Sequence, residues 1–118
     1  MDREFAQLLD RLPDYQSGAR ELSEILLTNL VMVSEIPAPT FDEGARVSFL
    51  LDRFNEYQLQ NCSTDEAGNA LAILPGRTGE RTILVVAHLD TVFPDSVDHT
   101  VSIQPGVASG AGIGDNSL

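Results

Sequence analysis

His88 and Asp90 stand at the end of an apolar run, and their types and spacing could support metal chemistry. The stretch VVAHLDTVFP, residues 85–94, separates the two side chains by one leucine. On a strand, side chains two positions apart emerge on the same face, so the imidazole and the carboxylate would be neighbours. A carboxylate beside an imidazole orients the ring and raises its basicity as a metal ligand. Taken alone, the pair is equally compatible with a polar strand end that faces water.

A glycine-rich stretch follows and leads to a second carboxylate. GAGIGDNSL, residues 110–118, has three glycines in the five residues before Asp115. Glycines let a backbone turn sharply and approach an ion closely, and a carboxylate is a hard oxygen ligand for a divalent cation. The alternative is a flexible loop in which Asp115 caps a helix, and for this stretch alone that alternative is favoured.

The glycines fit none of the common nucleotide or nucleophile motifs. A dinucleotide fingerprint requires glycine where Asp115 stands, and a Walker loop requires lysine, which the chain lacks. Ser109 is the fourth residue of GVASG, residues 106–110, and not the third, so the nucleophile elbow of serine hydrolases is excluded.

Composition indicates one compact, acidic domain. The 118 residues are 42% hydrophobic, all seven basic residues are arginine, and the formal net charge of −11 disfavours nucleic-acid binding. No signal peptide is evident, and no stretch approaches the about 20 apolar residues of a membrane span, so we expect a cytoplasmic protein without a membrane partner. The single cysteine, Cys62, has no intrachain disulfide partner and is expected to be a small buried residue.

Hydrophobic spacing predicts helices first and strands later. A short helix over 5–12 should end at Pro13, and a second over 19–34 should end at the prolines of IPAPT. Thr40 and Glu43 form a capping-box pattern that predicts a third helix from Phe41. The apolar residues predicted to line its buried face are Val47, Leu50, Leu51, Phe54 and Tyr57.

Two strands over 59–64 and 70–74 are predicted to form a hairpin around the turn DEAGN. RTILVVAH, residues 81–88, is continuously apolar, as expected of a central strand covered by helices on both faces. This order of elements predicts an α/β fold, a layered sandwich with a mixed sheet.

Taken together, AHLDTVFP and the glycine-rich loop ending in GDNSL resemble the pattern of the co-catalytic zinc exopeptidase and deacylase superfamily, which includes peptidase T, carboxypeptidase G, aminoacylase and acetylornithine deacetylase. IPAPTFDEGAR (36–46) and DEAGNALAILPG (65–76) are similar to earlier landmarks of that family, so the resemblance extends from about Leu22 to Leu118. It implies a three-layer αβα sandwich and a metallopeptidase or amidohydrolase that cleaves an amide bond in a small peptide or N-acyl amino acid.

The resemblance also implies roles for individual residues. His88 would ligate one metal ion, Asp90 would be the catalytic carboxylate that clamps its ring, and Asp115 would bridge two divalent ions. The two ions would polarise a shared water that attacks the amide carbonyl. Zinc is the expected metal, and cobalt or manganese suits the same donors. Aminopeptidase, carboxypeptidase and deacylase activities stay open, as do the substrate-binding residues and the oligomeric state.

Parts of the family pattern have no counterpart here. In the family the general base, which is the first residue of a Glu-Glu pair, and the remaining ligands, a later Asp or Glu and a distant His, lie further along the chain. We therefore expect residues 1–118 to be the amino-terminal part of a catalytic domain, without its remainder and lid domain. Because a catalytic zinc usually has three protein ligands, we expect this piece to be inactive alone. An unpaired strand over 81–88 should also promote association.

Two other functions are compatible with the sequence. The chain could be a complete small acidic interaction module without catalysis, or it could hold calcium at Asp95, Asp98 and Asp115, whose spacing matches no EF-hand. The other histidine, His99, lies in DSVDHT, which predicts a solvated loop. Arg46 and Arg53 are expected on the solvated face of the third helix and not against a substrate carboxylate.

Overall fold

The computed structural model describes residues 2–115, where three helices precede two short hairpins. The helices are α1 (Arg3–Glu21), α2 (Ser23–Ser34) and α3 (Gly44–Glu56), and the strands are β1 (Gln60–Thr64), β2 (Ala70–Ile73), β3 (Ser102–Gln104) and β4 (Val107–Ser109). Strand β1 pairs with β2 and β3 with β4, both antiparallel. The predicted combination of helices and strands is confirmed. The described residues do not form the predicted mixed sheet. The parallel pairing among them is an isolated bridge between Pro39 and Thr91.

Helix α1 runs through Pro13, so the prediction that this proline ends the helix was wrong. The side chain of Asp2 accepts a hydrogen bond from the Glu4 amide and caps the first turn. Glu4 in the first turn and Arg20 in the last also suit the helix dipole. Proline removes one backbone hydrogen bond from a helix, which weakens the helix without always ending it.

The boundaries of the next two helices differ from those predicted. Helix α2 begins at Ser23, because the continuous α1 already occupies the predicted start near residue 19. Helix α3 begins at Gly44 without a side-chain cap, so the capping box predicted from Thr40 and Glu43 was wrong. Phe41 has a positive φ of 71°, which is incompatible with a helix starting there. The Glu43 carboxylate instead accepts from the Phe41 amide at 2.7 Å.

The hairpin of β1 and β2 was predicted and is confirmed. Its turn is built on Asp65, whose carboxylate accepts hydrogen bonds from the backbone amides of Ala67 and Asn69 and from the Asn69 side chain. Gly68 adopts a positive φ of 86°, which favours glycine at this position. Cys62 in β1 is half-buried, with its thiol 3.3 Å from the Leu59 carbonyl, and so is less buried than expected.

The segment 81–88, predicted as a central strand, carries no strand in the structure. Its four apolar residues from Ile83 to Val86 are between 77% and 87% exposed. A strand needs a neighbour to pair its amide and carbonyl groups, and no strand of the described residues pairs with this segment. The apolar run therefore lies uncovered at the surface.

The hairpin of β3 and β4 was missed by the sequence analysis. Its strands have three residues each and pair Ser102 with Ser109 and Gln104 with Val107. Runs this short show too little alternation to indicate a strand. The turn signal was present, since Gly106 follows a proline and adopts a positive φ of 76°.

The small buried region of residues 2–115 surrounds the proline-rich turn between α2 and α3. Ala38 is the fully buried hydrophobic residue there, and the buried polar side chains are Ser34, Arg46, Thr91 and His99. Helix α3 packs on the first hairpin with half-buried side chains, namely Val47, Leu50, Leu51 and Phe54, whereas Tyr57 is 52% exposed. None of the described helices is both long and apolar enough to span a bilayer.

Candidate metal centre

His88 and Asp90 lie together, as their spacing predicted. The Nδ1 atom of the His88 ring is 3.1 Å from the Asp90 backbone carbonyl and 3.2 Å from Asp90 Oδ1. Both neighbours are acceptors, so they favour a proton on Nδ1. In the neutral ring Nε2 then carries the lone pair that a metal ion would use.

Asp115 approaches the other side of the same ring. Its Oδ1 lies 3.3 Å from His88 Nε2. Two successive turns bring it there, because the Ile113 amide donates to the Gly110 carbonyl and the Asp115 amide donates to the Gly112 carbonyl. Gly112 has a positive φ of 69°, and a side chain there would meet Thr91 at 3.4 Å. The glycine-rich stretch therefore allows both the turn and the close approach. Residues 116–118 of the motif lie outside the described part.

The segment carrying this pair is held by the proline-rich turn. The Thr91 amide donates to the Ala38 carbonyl at 2.7 Å, beside the bridge between Pro39 and Thr91. The Thr40 hydroxyl donates to Asp90 Oδ2 at 2.7 Å. Thr40 was predicted to cap a helix, and its contact with Asp90 was not predicted because it joins residues 50 positions apart.

Arg46 is buried at 4% exposure, so its predicted place on a solvated helix face was wrong. Its Nε donates to the Ile36 carbonyl and its Nη1 to the Leu89 carbonyl, both at 2.8 Å. These two backbone acceptors draw the guanidinium inward, which helical periodicity alone does not reveal. Arg53, by contrast, forms a salt bridge with Glu56 on the partly exposed face of α3.

The groups around the His88 ring shift its pKa. Desolvation acts to lower the pKa of His88, but its hydrogen bond to the Asp90 carbonyl and the charges of Asp115 and Asp90 outweigh it, so the pKa is raised. The Thr40 hydroxyl is the main cause that lowers the pKa of Asp90, and the His88 charge adds to it. Both effects keep Asp90 ionised as an acceptor for the ring.

The donor atoms fit a zinc ion in chemistry and spacing. Zinc bonds of about 2.0–2.2 Å that meet at a tetrahedral angle separate two donor atoms by about 3.3–3.5 Å. The distance of 3.3 Å between His88 Nε2 and Asp115 Oδ1 agrees with that separation. Within residues 2–115, no three His, Cys, Asp or Glu side chains form a group that could hold a metal ion. Asp95, Asp98 and Asp115 are thus not gathered into the calcium loop considered from the sequence.

His99 is buried at 6% exposure, so the prediction that it lies in a solvated loop was wrong. Its Nδ1 is 2.6 Å from the Val97 carbonyl, and its Nε2 is buried without a hydrogen-bond partner among the described residues. Together with Glu35, Asp95 and Asp98 it lines an open cavity of about 480 Å³ that includes neither His88 nor Asp115.

A second cavity adjoins the candidate metal centre. This groove of about 660 Å³ runs between α3, the first hairpin and residues 85–90. His88 and Asp90 stand among its lining residues, and Phe41, Val47 and Leu50 contribute apolar surface. The arrangement places an apolar depression beside two polar side chains, which is the usual character of a small-molecule site.

The chain matches no protein-family model and no curated protein sequence.

Proposed function

We propose that this chain supplies metal-ligating residues for the hydrolysis of an amide bond in a small peptide or N-acyl amino acid. The observation that supports this function is His88 placed between two carboxylates, with Nδ1 directed at Asp90 and Nε2 3.3 Å from Asp115 Oδ1. That arrangement prepares one ring nitrogen and one carboxylate oxygen as adjacent donors. The resemblance to the co-catalytic zinc exopeptidases and deacylases agrees with it.

Each of the three side chains has a defined task in this proposal. His88 binds through Nε2, while Asp90 holds the Nδ1 proton and raises the basicity of the ring. Asp115 has two oxygens, which suits a carboxylate shared by two cations. A pair of divalent ions, zinc by preference, supplies Lewis acidity and activates water at such a site when bound. The groove beside His88 would receive the apolar part of the substrate.

The proposal requires more polypeptide than residues 2–115. Two donors are fewer than the three protein ligands of typical catalytic zinc sites. The other ligands and the general base must then come from elsewhere, and with them residues 81–88 would become a central strand of a three-layer αβα sandwich. We therefore propose that the 118-residue chain binds metal weakly and does not hydrolyse substrate alone.

Zinc affinity tests the ligand assignment. The chain, Asp115→Asn and Asp95→Asn are titrated with zinc against a chromophoric chelator. We expect Asp115→Asn to weaken binding at least about tenfold, since loss of even an indirect contact has that effect. Asp95→Asn is the matched control, because it removes the same charge from an exposed residue outside the centre. Equal affinity of all three proteins would contradict the assignment, and equal weakening by both variants would favour an acidic loop.

Hydrolysis assays test the second part of the proposal. The zinc-loaded chain is incubated with dipeptides and N-acyl amino acids, and released amino groups are measured. We expect no release above the background of zinc alone. Release that depends on His88 would show that residues 1–118 suffice for catalysis.

A second candidate function, an acidic interaction module, is favoured by one observation. The apolar residues from Ile83 to Val86 are uncovered, as a docking strand would be. In that case zinc affinity would not depend on Asp115, and substitution at these apolar positions would abolish partner binding instead.

A further inference from the structure

Contacts from outside its own segment fix the carboxylate that faces the His88 ring. Asp90 Oδ1 lies 3.2 Å from His88 Nδ1, while Oδ2 accepts a hydrogen bond from the Thr40 hydroxyl at 2.7 Å. A carboxylate that is bonded through only one oxygen can rotate about its last bond. With Thr40 bonded to Oδ2, the plane of the carboxylate is defined and Oδ1 stays directed at the ring.

The backbone between His88 and Asp90 is held independently. The Leu89 carbonyl accepts from Arg46 Nη1, and the same guanidinium donates through Nε to the Ile36 carbonyl. Because the guanidinium is planar and rigid, it sets the spacing between these two chain segments in a way that a lysine cannot reproduce.

Because Arg46 is buried, its charge and its hydrogen-bond donors need partners within the protein. The side chain is 4% exposed, and a buried cation is unfavourable unless its charge and its donors are satisfied. Two backbone carbonyls satisfy the donors, and the charge of Asp90 opposes the lowering of the Arg46 pKa by desolvation. Arg46 thus interacts with Asp90 through the attraction of their charges and through its hydrogen bond to the neighbouring Leu89 carbonyl.

We propose that Thr40 and Arg46 are positioning residues for His88, Thr40 acting through the Asp90 carboxylate and Arg46 through the Leu89 carbonyl. Together they hold the Asp90 acceptor atoms against Nδ1 and so favour a proton on that nitrogen. The contribution of Thr40 and Arg46 to catalysis rests on the proposed function. Their effect on the His88 ring does not, because that effect is present without a metal ion.

The effect of Thr40 and Arg46 on the ring can be observed in the tautomer of His88. Free histidine prefers the proton on Nε2, and the Asp115 carboxylate oxygen 3.3 Å from Nε2 favours a proton there as well. The two acceptors at Nδ1, at 3.1 and 3.2 Å, favour the opposite tautomer. Ring nitrogen shifts from NMR of the metal-free chain, at a pH where the ring is neutral, report which nitrogen carries the proton. We expect the Nδ1-protonated form to predominate in the unmodified chain. A predominant Nε2-protonated form would overturn the proposal without any variant.

Three variants assign the effect to Thr40. Thr40→Val removes the hydroxyl and keeps the branched shape, and Thr40→Ser keeps the hydroxyl. Thr28→Val is the matched control, since it removes a hydroxyl that donates to the Glu24 carbonyl at 2.8 Å in α2. We expect Thr40→Val to shift the ring towards the Nε2-protonated form and to weaken zinc binding about tenfold. Thr40→Ser and Thr28→Val should retain both properties.

Arg46→Lys provides a second route if Thr40→Val fails to fold by circular dichroism. Lysine keeps the charge but cannot donate in the same geometry to both carbonyls, so the ring should shift in the same direction. An unchanged tautomer in a folded Thr40→Val or Arg46→Lys variant would refute the corresponding role. If the ring shifts while no form of the chain binds zinc, the positioning role stands and the proposed metal function fails.

Discussion

Phe41 combines two features that are unfavourable in a folded chain. Its φ of 71° places an aromatic residue in the left-handed region, and its side chain is 96% exposed. For residues other than glycine, asparagine and aspartate, that conformation costs roughly 1–2 kcal/mol. The strained turn separates Thr40, which donates to Asp90, from Glu43, which immediately precedes α3. Strain at such a position is typical of turns that serve a site.

Replacing Phe41 with asparagine should therefore stabilise the fold. Asparagine tolerates the left-handed conformation, and almost no buried area is lost because Phe41 is exposed. We expect the free energy of unfolding in urea to rise by about 1 kcal/mol. Phe5→Asn is the control, because Phe5 is half-exposed in a regular helix and its replacement should bring no gain. An unchanged or lower stability of Phe41→Asn would show that the turn is not strained.

Single residues were predictable where the chemistry is local in sequence. The proximity of His88 and Asp90 follows from their spacing, and the approach of Asp115 was expected from the resemblance. The partners of Thr40 and Arg46 were not predictable, because these contacts cross 50 and 43 positions of sequence. A capping box and a helical arginine each had an adequate local explanation, so nothing in the sequence indicated the tertiary one.

At the scale of elements, the first hairpin depends on its turn. The Asp65 carboxylate accepts three hydrogen bonds, and the bond from the Asn69 side chain is the main cause that lowers its pKa. A carboxyl whose pKa is lower in the folded state stabilises that state above its unfolded pKa of about 3.9. The contribution is lost as the pH falls through the lowered, folded value.

Asp65→Ala should consequently have a pH-dependent effect. At neutral pH we expect the variant to melt at a lower temperature than the unmodified chain. The gap should close as the pH falls below the folded pKa of Asp65, because the protonated carboxyl no longer accepts these bonds as strongly. Thermal melts followed by circular dichroism from neutral to acid pH measure this difference in melting temperature. The control is Glu66→Ala, which replaces the exposed carboxylate next to Asp65. A gap of constant size across that range would contradict the role of the ionised carboxylate.

Elements were predictable where local chemistry decides them. DEAGN specifies a turn through its own side chains, and the hairpin formed as predicted. Pro13 does not end α1 as predicted, because a missing hydrogen bond weakens a helix without always ending it. The segment 81–88 has the composition of a central strand, but strand pairing requires a neighbouring strand, which composition cannot supply.

At the scale of the molecule, the buried region of residues 2–115 contains more polar side chains than apolar ones. Ala38 is the fully buried hydrophobic residue of residues 2–115, and around it lie Arg46, Thr91 and His99. Many large apolar side chains remain on the surface, and those of residues 83–86 form one continuous run. An extended, exposed apolar segment without backbone partners is a template for pairing with another chain.

The chain should therefore associate through residues 83–86. Ile83→Lys with Val85→Lys places two charges on alternate positions of the segment and should abolish association, as seen by light scattering from micromolar to millimolar concentration. Leu74→Lys with Val92→Lys is the matched control, because those residues are also at least 80% exposed but lie outside the segment. Both pairs reduce the magnitude of the net charge of −11 equally and so weaken repulsion between copies equally. Dissociation by the first pair alone must then come from interrupting the apolar segment 83–86. A monomeric unmodified chain, or equal behaviour of the two variants, would contradict this origin.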